Sequence, residues 1–138
     1  MSQDSGAHIR LDEEGAVRIG ALVKSAGGNL PVIIGEDVSA ALDSALGYAS
    51  ETLEQIDGTQ RLSRVVIAAA LRNVRAGAWR TRAEHDASPN AVSMGRGFGN
   101  EERAAVHLQP PDRARGALAF DRQSLVEDLT TLLKRQWV

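Results

Sequence analysis

The sequence predicts a helix-dominated α+β fold: an antiparallel helical hairpin, a C-terminal helix and a small N-terminal antiparallel β element. Three observations carry this reading. Residues 37–57 place Val38, Ala41, Leu42, Ala45, Leu46, Ala49, Leu53 and Ile56 on one side of a helix. Residues 60–82 hold the longest apolar run, Val65–Leu71, together with six arginines and no acidic residue. Residues 122–136 repeat Leu125, Val126, Leu129, Leu132 and Leu133 behind Asp121, a capping residue type.

Taken in order, residues 1–7 are small and polar and are predicted to be a disordered tail. HIRL, DEEG and AVRIGALV then read as strand, turn and strand. Val17, Ile19, Ala21 and Val23 alternate with Arg18, Gly20 and Lys24, the period of a half-buried strand. Leu22 interrupts the alternation, so Val17–Lys24 as a short helix is the rival. Ser25–Asn29 is a loop. Leu30–Ile34 reads as a short strand in which Pro31 marks a start or an edge.

The helix Asp37–Asp57 starts at Gly35 or Asp37 and stops at Gly58. Asp43, Glu51 and Glu54 lie opposite its apolar face or on its flank. DGTQ then leads to the arginine segment. Ala68, Ala69 and Ala70 favour helix there, since alanine loses no side-chain entropy in a helix and is depleted in strands. At the helical period Arg61, Arg64, Arg72, Arg75 and Arg82 fall within about 80°. Thr59 would cap this helix and Gly77 would end it, leaving Arg82 beyond the stop. The short connection makes the two helices an antiparallel hairpin. A pleated ribbon over Val65–Leu71 would overturn this part of the architecture.

Residues 83–100 are rich in Gly, Ser, Asn and Pro and are predicted to be a long flexible loop, with room for a short strand at Ala91–Met94. Asn100–Gln109 is a short helix or a strand, ended by Pro110–Pro111. Arg113–Phe120 is ambiguous, with a candidate strand at Ala117–Phe120. In the final helix Lys134 and Arg135 suit the C-terminal end of the dipole.

The 138 residues fit a single domain. Apolar residues make up 43% but aromatics 4%, so the core is poor in large side chains and gains from a partner subunit. The net charge of −2 is unevenly placed. Residues 1–57 carry 3 basic and 10 acidic side chains, net −7; residues 58–138 carry 13 and 8, net +5. Cancellation within the fold and cancellation between subunits stacked head to tail both satisfy that asymmetry. The chain has no cysteine, hence no disulfide framework or thiolate metal site. No apolar run approaches a membrane span and no signal pattern opens the chain, so no membrane association and a cytoplasmic location are expected.

No constellation points to a reaction. His8, His85 and His107 lack metal-ligand spacing. Glu84, His85 and Asp86 cluster on a polar stretch, and Gly95-Arg96-Gly97-Phe98-Gly99 is the type of loop that cradles an anion. However, Glu101 and Glu102 would repel a phosphate there, and no Gly-Lys-Ser/Thr follows. No cofactor and no enzymatic activity are therefore expected. The interaction candidates are Arg61, Arg64, Arg72 and Arg75, Phe98 as an anchor that orders on assembly, and Trp137 near the chain end. An arginine edge pairs with carboxylates inside the fold or assembly, or contacts nucleic acid phosphates.

The order DVSAALDSALGYASETLEQIDG, RLSRVVIAAALRNVRAG, a long polar loop and a final helix resembles the head-to-tail connector (adaptor) proteins of tailed bacteriophages. The resemblance spans residues 37–135 and rests on element order; the N-terminal strands depart from it. It implies ring-forming subunits in a virion. The leading expectation is thus a non-enzymatic assembly protein acting as a homo-oligomer or complex subunit. The alternatives are a nucleic-acid-binding module using the arginine face of residues 60–76, and a small ligand-binding domain or enzyme near His85 and residues 95–99.

Overall fold

A computed structural model describes residues 7–11, 17–21, 32–59, 61–71, 78–87 and 105–136. The elements run β1 (Ala7–Leu11), β2 (Val17–Ala21), β3 (Val32–Ile34), α1 (Gly35–Ile56), β4 (Arg64–Ala69), β5 (Ala78–Arg80), α2 (Arg82–Ala87), β6 (Val106–Ala114), α3 (Ala117–Phe120) and α4 (Arg122–Arg135). The fold is helix-dominated α+β.

β1 and β2 form the expected antiparallel hairpin, with Ile9 opposite Ile19. Ala7 already belongs to β1; the rest of the expected tail lies outside the described residues. β2 lies along α1. β3 begins one residue after Pro31 and pairs in parallel with β5, Ile33 beside Trp79.

α1 starts directly from β3 at Gly35 rather than through a loop. The glycine is needed there: a Cβ would come within 2.9 Å of the Trp79 indole nitrogen, so the indole covers the strand-to-helix turn. α1 buries Val38, Leu46 and Leu53, positions 7 or 8 residues apart that return to the same face.

The arginine segment is a strand, not the second helix of a hairpin. β4 alternates around a buried Ile67: Val65 and Ala69 are partly buried, while Arg64, Val66 and Ala68 are exposed. Its first four residues, Arg64-Val65-Val66-Ile67, contain three consecutive β-branched side chains, which are stiff at χ1 and fit a pleated surface. The alanines that favour helix come at its end and are small enough for either state. With no helix here, Thr59 has none to cap. Instead the Asp57 carboxylate accepts the amides of Arg61 (3.2 Å) and Leu62 (2.7 Å) and turns the chain from α1 into β4.

β4 pairs antiparallel with β6. The register joins Arg64 to Ala114, Val65 to Arg113 and Val66 to Asp112, then resumes at Ala68 opposite His107 and Ala69 opposite Val106. Between these sections β4 advances two residues (66 to 68) and β6 five (112 to 107), so β6 bulges. Pro110 and Pro111, expected to end an element, lie inside that bulge, where a missing amide leaves no ladder bond unmade. The Gln109–Pro110 peptide is cis. Arg113 donates back to the carbonyls of Pro110 (2.9 Å) and Gln109 (3.2 Å), giving two bulge carbonyls a partner. Residues 117–120, a candidate strand, form α3.

The core joins α1, α3 and α4 to the inner face of the β4–β6 sheet. Leu46, Leu53, Ile67, Leu108, Leu118, Leu125, Val126 and Leu129 form one cluster. Ile33, Val38 and Leu133 form a second, with Leu71 and Trp79 packed against it. Four of the five residues read as the face of the final helix, Leu125, Val126, Leu129 and Leu133, are buried.

Candidate interaction surface

The structure does not assemble the predicted arginine seam. Arg61 lies in the turn before β4 with its side chain exposed. Arg64 projects from the outer face of β4, donating through Nε (3.2 Å) and a terminal nitrogen (2.8 Å) to one Asp112 oxygen. Arg82 opens α2 instead of trailing a long helix, and its guanidinium reaches both Asp37 oxygens at 2.9 and 2.8 Å. Arg72, Arg75, Phe98 and Trp137 lie outside the described residues, as do the 95–99 glycine loop and residues 91–94.

Part of the predicted 83–100 loop is helix α2, and its start has a mechanism. The Glu84 amide donates to the Thr81 hydroxyl (3.0 Å), while the Thr81 amide donates to the Glu84 carboxylate (3.0 Å). This is a reciprocal capping box, signalled by Thr81-Arg82-Ala83-Glu84. The Thr81 amide first, then the Thr81 hydroxyl, hold the Glu84 carboxyl below its usual range. Glu84 is thus occupied in a cap, which removes one member of the Glu84–His85–Asp86 cluster from ready acid–base use. The Arg82 amide donates to both Glu36 oxygens at 3.0 and 3.1 Å, so the first turn of α1 also holds the start of α2.

Two arginines outside the predicted seam, Arg115 and Arg122, pair with carboxylates as Arg64 and Arg82 do. Arg115, 6% exposed, is a buried cation. It donates to the Asp57 carboxylate (2.8 Å), the Asp57 carbonyl (3.1 Å), the Leu62 carbonyl (3.3 Å) and Glu54 (3.5 Å). Its own amide donates to the Ser63 carbonyl at 2.8 Å. The planar fork suits this many-acceptor site in a way a lysine does not. Arg122 crosses α1 beside Gly47 and donates to Asp43 at 3.0 Å. A Cβ on Gly47 would sit 3.1 Å from the Arg122 guanidinium.

The pairs Arg82–Asp37, Arg115–Glu54, Arg115–Asp57 and Arg122–Asp43 each join an acid of residues 1–57 to an arginine of residues 58–138. Some of the charge asymmetry is therefore cancelled within the chain, along α1 and its C-terminal cap.

What remains outward is the second face of the β4–β6 sheet. The register puts Arg64 with Ala114, Val66 with Asp112 and Ala68 with His107 on it, and all six residues are exposed. Val66 is 67% exposed, beside Arg64 along its strand and Asp112 across the ladder. Val66 is thus bordered by a cation and an anion that pair with each other. The Arg64 guanidinium holds the Asp112 carboxyl below its usual range.

An open groove of about 460 Å³ runs between α1 and α4, lined by Ser39, Ala40, Asp43, Gln123, Val126 and Glu127. Its carboxylates already have partners, Asp43 with Arg122 and Glu127 with Gln123 at 3.4 Å. Among the described residues no His, Asp or Glu group of three is arranged to hold a metal ion, and no helix is long and apolar enough to cross a membrane. Comparison with protein-family models, with curated proteins and with solved structures gives no match.

Proposed function

We propose that the chain is a non-enzymatic assembly subunit that associates through the outer face of the β4–β6 sheet. The observation that carries this reading is Val66. A β-branched residue at the middle of a strand is left 67% exposed, on a face whose other members are two alanines, His107 and the Arg64–Asp112 ion pair.

The nucleic-acid reading needs a contiguous cationic face. Arg64 and Arg82 instead stand on separate elements, each on a carboxylate. A head-to-tail connector role would be one form of the proposed assembly role. Its support is reduced, since β4 stands where the second helix of that pattern was expected.

Sedimentation velocity across a wide concentration range, on the wild type and on Val66→Lys, tests the proposal. The wild type is expected to gain mass with concentration and the variant to stay monomeric with an unchanged circular dichroism spectrum. A wild type that remains a monomer throughout would sink it, as would a variant that associates as the wild type does.

A further inference from the structure

The segment from β5 through α2 is fastened to the outside of the fold. Every described side chain of α2 is exposed. The helix has six residues, well below the roughly 12–15 at which an isolated helix is marginal in water, so its contacts decide whether it forms. Those contacts gather at the start of α1. The Trp79 indole lies against Gly35 and packs on the cluster of Ile33, Val38 and Leu133. Farther along, the Arg82 amide donates to Glu36 and its guanidinium to Asp37. Between these points Arg80 donates to the Glu84 carbonyl (2.6 Å), and Thr81 and Glu84 cap each other, so β5 and α2 are bonded across their junction. Melting either element therefore removes support from the other. α1 and α4 are different: both bury apolar side chains in the main cluster with β4 and β6.

We propose that residues 78–87 are a strap that opens as one unit while α1, α4 and the β4–β6 sheet stay folded. Its fastenings are the indole at Gly35 and Arg82 on Glu36 and Asp37. Among the described residues β5 is the strand paired with β3. Opening thus lays bare one edge of Val32–Ile34, three apolar β-branched residues, and takes the indole off the Ile33–Val38–Leu133 cluster. Closed, the strap covers an edge strand of the kind that folds keep from pairing with other chains. The device is independent of the assembly reading, which concerns the β4–β6 sheet.

Native-state hydrogen exchange on the full chain, read amide by amide at rising urea, tests this. In the wild type the amides of β5 and α2 are expected to share one opening equilibrium, easier and less urea-dependent than that of α4. Gly35→Ala places a Cβ 2.9 Å from the rigid indole, while alanine itself suits the helix that begins there. It is expected to speed exchange about tenfold, as crowding of this kind does, and by the same factor in α2 as in β5. Arg82→Ala is expected to speed exchange up to about fivefold, the contribution of an exposed pair, and to do so in β5 as well as in α2. Circular dichroism checks folding; if Gly35→Ala is unfolded, Arg82→Ala carries the test alone. A variant that moves only one of the two elements would show that they open separately and overturn the strap. Exchange unmoved by either variant would overturn the fastenings. Wild-type amides of residues 78–87 that open only together with α4 would overturn the proposal as a whole.

Discussion

Asp57 is the residue on which most local structure converges. Its carboxylate accepts the Arg61 and Leu62 amides and the Arg115 guanidinium, while its carbonyl accepts a second Arg115 nitrogen. These bonds hold its carboxyl below the usual range: the Leu62 amide first, then the Arg61 amide and the Arg115 charge, against the opposing effect of burial. The sign of the linkage follows. A carboxyl with a folded-state pKa below its unfolded value stabilises the fold above that unfolded value, about 3.9 for Asp. That stability is lost as pH falls through the lower, folded value. Glu84 and Asp112 shift in the same direction and add to the trend. Stability should therefore decline below about pH 4. Asp57→Asn should be less stable at pH 7 but show a smaller difference between pH 7 and pH 3, measured by urea denaturation at each pH. An unchanged pH difference would show that the fold does not depend on this carboxylate being ionised.

At the scale of the element, β4 gives the sharpest contrast. In a helix whose arginines gather along one edge, Val66 would lie on the opposite side, toward the core. In the strand Ile67 is buried and Val66 is not. Ile67→Ala is expected to cost about 2–5 kcal/mol, within the range for large-to-small core changes. Val66→Ala is expected to cost under about 1 kcal/mol, mainly strand propensity. Equal losses in chemical denaturation would contradict the alternation. The same contrast separates what is legible in the sequence from what is not. α1 and α4 are legible because their apolar positions repeat on one side and their ends carry turn or capping residues. The β1–β2 hairpin is legible from alternation around DEEG. β4 is not, because Val65, Val66 and Ile67 argue for strand, the alanines argue for helix, and the deciding partner is remote: Val66 pairs with Asp112. β6 is hidden by Pro110–Pro111, which break a ladder unless a bulge receives them. The Thr81–Glu84 capping box is readable from its spacing, but the loop residues that follow it outweigh the signal. Arg115 carries no local signal at all, since Asp57, its closest carboxylate, is 58 residues away. Of the predicted contact residues, Arg64 does stand on the candidate face, but as a strand residue paired with Asp112 rather than one of a helical seam.

For the whole molecule, the question is which of the arginines gripping α1 holds the fold. Arg82 binds Asp37 near the start of the helix, Arg122 binds Asp43 farther along, and Arg115 binds Glu54 and Asp57 at its end. They come from α2, the start of α4 and the turn after β6, so together they tie three later segments to one early helix. By count the contacts look equivalent; exposure separates them. The Arg82–Asp37 pair is 48% and 38% exposed and Arg122–Asp43 35% and 57%, the range in which such a pair contributes about 0.2–1 kcal/mol. Arg115 is 6% exposed and satisfies two backbone carbonyls as well as two carboxylates. Removing it takes the donor from the Leu62 and Asp57 carbonyls and the countercharge from the largely buried Asp57 carboxylate, and breaking a buried pair in this way costs about 3–5 kcal/mol. Arg115→Met should consequently lower stability more than the double variant Arg82→Ala/Arg122→Ala. The two exposed changes, on separate parts of α1 with no shared partner, should add to within about 0.5 kcal/mol. Denaturant titrations in low and high salt separate the cases further, because screening weakens the exposed pairs and leaves the buried one nearly intact. If the double variant were the more damaging, or if salt erased the Arg115 effect, α1 would be held by long-range charge attraction, and the buried arginine would not be the fastening point of the fold.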